Sequence, residues 1–245
     1  MDTLLGFFDI NNTFFMVFEY QMSYIEFFGT ILTIWSVWLT AKARILSWPI
    51  GIIGVVLYMF LFYQIQLYSD LFEQVYFLIT GFWGWWVWTH PKIGEEVALG
   101  KEIRIAKNSL RENIVYACII AVGTGTLTYV AVHLDAWFPS YFPEPAAFPF
   151  LDAFTTAMSF TAQWLLARRR LENWMLWIVV DVIAIWLYWS KGIKFVSLEY
   201  ALFFVIASIG LIKWVKEYRG YSTNAIHAHA EGNHARTSTE RQKTV

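Results

Sequence analysis

The stretch Ala167–Gly192, ARRRLENWMLWIVVDVIAIWLYWSKG, places one ionisable side chain, that of Asp181, in the middle of an otherwise apolar run. A carboxylate at the centre of a bilayer costs about 2.5 to 3.5 kcal/mol on insertion scales. Asp181 therefore needs a partner or a function, and we predict that it is the centre of a binding site. Trp174, Trp177 and Tyr188 share its helical face by their spacing. Aromatic faces beside an acid suit a flat, cationic solute.

The composition of the whole chain is that of an integral membrane protein. Of its 245 residues, 58% are hydrophobic, 20% are aromatic and only 15% are charged. The apolar residues form repeated runs that are long enough to cross a bilayer, about 20 residues each. The net charge of −1 gives no basis for nucleic-acid binding. The sequence predicts an all-α integral membrane protein with seven transmembrane helices, at residues 23–41, 47–64, 69–89, 113–133, 150–167, 173–190 and 197–216.

The two ends of the chain differ from this membrane domain, which we place at residues 23–218. Polar residues interrupt the aromatic segment 1–22, and this favours a segment at the membrane interface over a span. Residues 219–245 are polar and are predicted to form a disordered cytoplasmic tail. The histidines of that tail are better explained by a solvated segment than by a metal site. No metal and no cofactor are expected.

The basic residues lie almost entirely on one side of the predicted spans. Sixteen of the 18 Lys and Arg residues fall on that side, and only Lys191 and Lys194 fall on the other. Because cytoplasmic loops are enriched in basic residues, the amino terminus is predicted to be outside and the carboxyl terminus in the cytoplasm. We therefore expect a multi-pass protein of the cell (inner) membrane, with the lipid bilayer as its surroundings.

The chain also repeats itself. Aligning residues 26–90 with 152–216 at a constant offset of 126 gives 14 identities in 65 pairs. The pattern predicts a 3+1+3 arrangement, with repeat one at 23–90, a linker helix at 113–133 and repeat two at 150–216. An offset of four spans restores the original direction, so the repeats are parallel and the solute path lies between them. The identities least explained by composition are Trp38 with Trp164, Trp48 with Trp174, Glu73 with Glu199, Gly84 with Gly210 and Trp88 with Trp214.

Three segments combine acids with dense aromatic residues. They are QIQLYSDLFEQVYFLITGFWGWWVW (64–88), ENWMLWIVVDVIAIWLYWSKG (172–192) and SLEYALFF (197–204). Together they resemble the PnuC family of nicotinamide riboside transporters, over about residues 23–218. The resemblance implies a SWEET-like fold, a homotrimer and facilitated uptake of nicotinamide riboside, a precursor of NAD. Branches of the family that look similar carry thiamine or other vitamins, so the substrate within the family stays open.

The polar side chains of the spans support a solute path by themselves, because no basic residue interrupts them. In the predicted orientation Glu73 and Glu199 lie in outer turns and Asp181 lies midway. Carboxylates with aromatic faces favour a cation, whether nicotinamide riboside or thiamine. The amide of Gln163 both donates and accepts, as a carboxamide or ribose hydroxyl requires. The predicted substrate-binding residues are Glu73, Gln74, Gln163, Asn173, Trp174, Trp177, Asp181, Tyr188, Glu199 and Tyr200.

Several alternatives stay open at this level. Glu73 and Glu199 also suit hydrogen bonding between helices, without contact to a solute. An acidic path serves protons as well as cations, so coupling to protons is undecided. A seven-helix receptor or an intramembrane enzyme is a distant alternative. The single Cys118 allows no external disulfide, and the sequence contains no G-x-S-x-G motif. The chain is predicted not to be an enzyme.

Overall fold

The computed structural model describes residues 6–17, 20–65, 68–90, 96–97, 100–141, 148–190, 192 and 194–242. Lys92, Lys191 and Lys243, which entered the predicted orientation, lie outside these residues. Of the helices in the described ranges, five are long and apolar enough to cross a membrane by length and composition: Tyr24–Ala41, Ser47–Gln64, Leu110–Trp137, Glu172–Ser190 and Lys194–Tyr221. The described chain forms seven helices, one for each predicted span: α1 (Tyr24–Ala41), α2 (Ser47–Gln64), α3 (Tyr68–Thr89), α4 (Leu110–Trp137), α5 (Pro149–Ala167), α6 (Glu172–Ser190) and α7 (Lys194–Gln242).

Two short antiparallel hairpins accompany the helices in the described part of the chain, and the prediction of an all-α protein did not include them. The first lies in the segment predicted to be interfacial, where aromatic and β-branched side chains favour extended backbone. The second lies in the connection between α3 and α4. The strands are β1 (Thr13–Val17) with β2 (Tyr20–Ser23), and β3 (Glu96–Val97) with β4 (Gly100–Ile103).

Helix α7 also differs from the prediction. It begins at Lys194 and continues to Gln242, so it is longer than the predicted span 197–216. The segment 219–245 contains several Ala, Glu, Arg, Lys and Gln residues, which are strong helix formers. The local propensity of these residues explains a helical backbone beyond the last apolar turn.

Six of the described helices pack as a closed ring in the order α1, α2, α3, α5, α6 and α7, with α7 returning to α1. Helix α4 lies outside this ring and packs chiefly on α5. Thr124 is the one buried residue of α4, a helix that is described along its whole length. The polar side chains considered below therefore belong to the six ring helices and to the hairpin before α1.

The turn between α1 and α2 recurs 126 residues later, between α5 and α6. Ala43 and Arg169 occupy equivalent positions, and both have a φ of 53°, which is uncommon for residues other than glycine. The backbone N–H of Ala43 donates to the Thr40 carbonyl, and that of Arg169 donates to the Leu166 carbonyl, each at 2.8 Å. The same tight turn thus begins the second helix of each set of three.

Two tryptophan pairs are equivalent in the same way. The rings of Trp48 and Trp88 meet edge to face, with centroids 5.4 Å apart. The rings of Trp174 and Trp214 meet edge to face at 5.5 Å. Edge-to-face contact is a preferred geometry of aromatic pairs, and all four rings are buried. The second and third helices of each set are therefore joined by one aromatic contact of the same form.

The outer members of these pairs cross between the two sets of helices. The indole N–H of Trp88 in α3 donates to the carbonyl of Ala167 at the end of α5, at 3.1 Å. The indole N–H of Trp214 in α7 donates to the carbonyl of Thr40 in α1, at 3.2 Å. Each bond satisfies a carbonyl in the last turn of a helix, which has no partner within that helix. The two contacts run in opposite directions between the sets, although their acceptors differ by one residue at the offset of 126, because Ala167 is equivalent to Ala41 rather than Thr40.

A buried arginine occupies the centre of this layer. Arg169 is fully buried, and its guanidinium lies 4.8 Å from the ring of Trp88 and 6.0 Å from that of Trp214. It donates to the Ala43 carbonyl at 3.4 Å and lies 4.0 Å from the carboxylate of Glu217. Cation–π contact and a carbonyl acceptor compensate the desolvation of the charge. Arg169 therefore links the end of α5 to α3, to α7 and to the turn after α1.

Candidate solute-binding site

Asp181 lies in the middle of α6 with only 3% of its surface exposed. Among the described residues, none makes a hydrogen bond or an ion pair with its carboxylate. It is close enough to act electrostatically on the phenol of Tyr200 on α7. An ionisable group that is buried without a partner is costly. The position of Asp181 therefore makes it the candidate centre of a solute-binding site.

Aromatic rings from three helices pack beside Trp177, which precedes Asp181 by one turn of α6. The centroid of Trp177 lies 6.4 Å from that of Phe77, and Phe77 lies 6.3 Å from Phe160. The ring of Tyr76 lies 4.2 Å from Phe160, and its hydroxyl donates to the Phe160 carbonyl at 2.9 Å. We call Tyr76, Phe77, Phe160 and Trp177 the aromatic wall. It offers ring faces next to an acid, as a flat cation requires.

A second group lies further along α6, beyond Asp181. The rings of Tyr188 and Tyr200 are stacked, with centroids 5.4 Å apart and an angle of 11° between their planes. Glu73 on α3 is close enough to act electrostatically on both phenols, and Asp181 acts on Tyr200. The structure thus brings four predicted site residues together, from α3, α6 and α7.

Glu199, which also acts electrostatically on Tyr200, belongs to a polar network between α1, α2 and α7. The hydroxyl of Tyr58 donates to the Glu199 carboxylate at 3.3 Å and lies 2.9 Å from the hydroxyl of Thr30. Glu26, in the first turn of α1, accepts a hydrogen bond from Tyr20 on β2. Partial burial, together with this hydrogen bond, raises the pKa of Tyr20 above its ordinary value. Tyr20 therefore keeps its proton and remains a donor to Glu26.

Two predicted amides lie on α3 and α5, helices that also contribute residues to the aromatic wall. Gln163 follows Phe160 by one turn of α5, and Gln74 is next to Glu73 on α3; both are partly buried. In the described ranges no side chain or backbone group hydrogen-bonds to either amide. Each amide offers both donors and acceptors. They are therefore candidates for contact with a polar solute.

Asn173 and Trp174 lie apart from this group, at the start of α6. Asn173 is fully buried, and its amide donates to the Arg170 carbonyl. Trp174 is 1% exposed and packs on Trp214. Within the described chain, neither the Asn173 amide oxygen nor the Trp174 indole N–H has a hydrogen-bond partner. The structure places both in the tryptophan and arginine layer, roughly 10 Å along the helix from Asp181.

Sequence reasoning missed five residues of these networks within the spans: Thr30, Tyr58, Tyr76, Phe77 and Phe160. Each lies in an apolar span, and nothing in its spacing separates it from a packing residue. Tyr58 could nevertheless have been found from the sequence. In the alignment of the two repeats at an offset of 126 it is paired with Ala184, so a large polar side chain is matched by a small apolar one. A large polar ring that is matched by alanine marks a place where the two repeats differ in function.

The ring of apolar helices, with unpartnered polar groups inside it, defines a multi-pass membrane protein of the transporter class. A family model described as nicotinamide mononucleotide transporter matches residues 23–216. This match covers most of the chain, and the protein belongs to that family.

Individual relatives agree with this assignment. The nicotinamide riboside transporter PnuC of Escherichia coli strain K12 is 31% identical over 222 residues, covering 84% of this chain and 91% of that protein. A crystal structure of the vitamin B3 transporter PnuC matches with a TM-score of 0.59 and 25% identity, covering 78% of this chain and 80% of the other. The riboflavin/roseoflavin transporter RibM of Streptomyces davaonensis is 25% identical, covering 84% of this chain and 91% of that protein. The predicted resemblance to PnuC is confirmed, and these relatives are named as transporters rather than enzymes.

Proposed function

We propose that this protein mediates the facilitated uptake of nicotinamide riboside by alternating access. The observation that carries the proposal is Asp181, a buried acid without a partner beside the aromatic wall. Nicotinamide riboside contains a flat pyridinium ring, and a carboxylate next to aromatic faces complements both its charge and its shape. The similarity to transporters named for this solute supports the same substrate here.

The proposed path lies between two parallel repeats, of which α1 to α3 form one and α5 to α7 the other, with α4 as the linker. This 3+1+3 arrangement is supported by the recurrence of turn and aromatic contacts at an offset of 126, and by the reciprocal bonds of Trp88 and Trp214. In transporters built from repeats, the solute site lies near the bilayer midplane between them. Asp181, in the middle of α6, fits that depth.

The surroundings of the protein follow from the same proposal. The protein lies in the inner membrane in this proposal. The distribution of basic residues supports an amino terminus on the outer side of that membrane and a carboxyl terminus in the cytoplasm. Helix α4 exposes apolar side chains such as Ile119, Val122 and Val132, which suit lipid or a neighbouring subunit. A homotrimer and a SWEET-like fold, both implied by the family resemblance, complete the proposal.

Isothermal titration calorimetry of the detergent-purified protein tests the substrate. Nicotinamide riboside, thiamine and riboflavin are titrated in parallel, the last because a relative is named as a riboflavin transporter. We expect binding of the riboside that is tighter than that of either other vitamin. Tighter binding of riboflavin, which lacks a positive charge, would contradict the role given to Asp181. Binding of none of the three would contradict the proposed function as a whole.

Replacing Gln163 with leucine should weaken the binding of nicotinamide riboside more than that of thiamine. The amide of Gln163 has no hydrogen-bond partner in the described structure, and the riboside presents a carboxamide that thiamine lacks. Loss of one such hydrogen bond corresponds to about 1 kcal/mol, or roughly fivefold in Kd. Calorimetric Kd values for both solutes provide the comparison. Equal losses for the two solutes would show that Gln163 does not contact the carboxamide.

A further inference from the structure

The two glutamates that occupy equivalent positions in the repeats have different surroundings. Glu199 accepts a hydrogen bond from Tyr58 at 3.3 Å. At the offset of 126, the residue equivalent to Tyr58 is Ala184, and the residue equivalent to Glu199 is Glu73. The contact between Tyr58 and Glu199 thus corresponds to a pair, Ala184 and Glu73, that lacks the phenol. In the described chain no group hydrogen-bonds to Glu73.

Ala184 lies on the same face of α6 as the site already described. It follows Asp181 by three residues and precedes Tyr188 by four, which places the three on one side of the helix. Glu73 acts electrostatically on Tyr188, and Glu73, Asp181 and Glu199 all act on Tyr200, so it is the hydrogen bond from Tyr58 that distinguishes Glu199 from the other two acids. Asp181 is itself 3% exposed and without a partner. Two unpartnered carboxylates, on α3 and α6, therefore converge on Tyr200, on the side where repeat two has alanine instead of tyrosine.

We propose that Glu73, unlike Glu199, contacts the transported solute, and that alanine at position 184 makes this contact possible. The inference rests on the proposed function and assigns different roles to the two equivalent acids. Glu199 is held by Tyr58 and joins helices. Glu73 has no phenol to hold it and accepts hydrogen bonds from the hydroxyl groups of a flat cation whose ring lies beside Trp177 and Asp181.

The direction of the solute follows from the order of these residues along α6. Trp177 and the aromatic wall lie on one side of Asp181, and Ala184 and Tyr188 lie on the other. A solute with a charged ring at one end and hydroxyl groups at the other matches this order. The ring meets the aromatic faces and the Asp181 carboxylate, and the hydroxyl groups meet Glu73.

The test compares Glu73→Gln with the repeat-equivalent variant Glu199→Gln. Kd values for nicotinamide riboside are measured by calorimetry, and thermal unfolding midpoints report on the fold. We expect Glu73→Gln to raise Kd about tenfold or more with little change in midpoint, because a charge-assisted contact is lost. Glu199→Gln should raise Kd several-fold less, because glutamine retains an acceptor for Tyr58.

The variant Ala184→Tyr tests the proposal from the other side. The new tyrosine is equivalent to Tyr58 of repeat one. We expect its phenol to donate a hydrogen bond to the Glu73 carboxylate in place of the solute, and so to raise Kd about tenfold or more. If this variant does not fold, the comparison of Glu73→Gln with Glu199→Gln is by itself the test of the proposal. An unchanged Kd in folded Glu73→Gln, or an equal loss in Glu199→Gln, would overturn the inference while leaving the proposed function intact. If the wild-type protein does not bind the riboside, the proposed function fails and the inference fails with it.

Discussion

Replacing Asp181 with alanine is expected to weaken the binding of nicotinamide riboside by about 1 to 3 kcal/mol, or roughly 5- to 150-fold. The carboxylate is 3% exposed, and the described structure gives it no hydrogen bond or ion pair. Its removal therefore takes away an interaction with the solute and breaks none within the protein. Calorimetric titration of the purified variant gives the change in Kd, and its thermal unfolding midpoint should not fall.

The variant Asp181→Asn is the control for charge. Asparagine keeps the size of the side chain and one acceptor oxygen but removes the negative charge. If charge is what the pyridinium ring requires, the asparagine variant should lose nearly as much affinity as the alanine variant. An unchanged Kd in a folded alanine variant would show that Asp181 does not contact the solute.

Replacing Gly84 with alanine is expected to destabilise the protein by about 1 to 3 kcal/mol or more, the range for overpacking a core. A Cβ atom at Gly84 would lie 2.3 Å from the indole of Trp48, far inside van der Waals contact. Trp48 is 6% exposed and packs edge to face on Trp88. Moving this buried ring away would disturb its contact with Trp88. Thermal unfolding of the detergent-solubilised protein, followed by tryptophan fluorescence, measures the effect.

Two other glycines make this prediction quantitative. A Cβ atom at Gly210, the equivalent position in α7, would lie 2.8 Å from Trp174, so Gly210→Ala should be less damaging than Gly84→Ala. A Cβ atom at Gly125 in α4 would have nothing within 4 Å, and alanine there should be neutral or favourable by up to about 1 kcal/mol. Equal unfolding midpoints for Gly84→Ala and Gly125→Ala would contradict the close approach of α3 to Trp48.

The positions of the helices could be predicted closely from the sequence, because a helix that crosses a bilayer requires an apolar run of a set length. The predicted span 47–64 coincides with α2, and the span 113–133 lies within α4. The first hairpin could not be predicted in the same way. Strands of four or five residues form when tertiary contacts select them, and one such contact here is the hydrogen bond from Tyr20 to Glu26.

The candidate site could be predicted in part, because helical spacing shows which residues share a face. That rule placed Trp177, Asp181 and Tyr188 on one side of α6, and the structure joins the last two through Tyr200. The rule does not show how far along the helix a residue lies from the site. Trp174 shares the face of Asp181, but it packs on Trp214 in the tryptophan and arginine layer at the start of α6. It also does not show neighbours from other helices. The partner of Glu199, Tyr58, lies 141 residues away in the chain.

The reciprocal bonds of Trp88 and Trp214 have a further consequence, for how such a protein arises. Contacts that are made twice in opposite directions are those of an isologous dimer, in which both copies must be identical. Two separate copies with arginine at position 169 would also have arginine at 43, and two buried guanidinium groups would repel each other. In a single chain, Ala43 lies opposite Arg169 and contacts it through its carbonyl. A single chain can thus hold one buried charge at this place, where two identical copies would hold two.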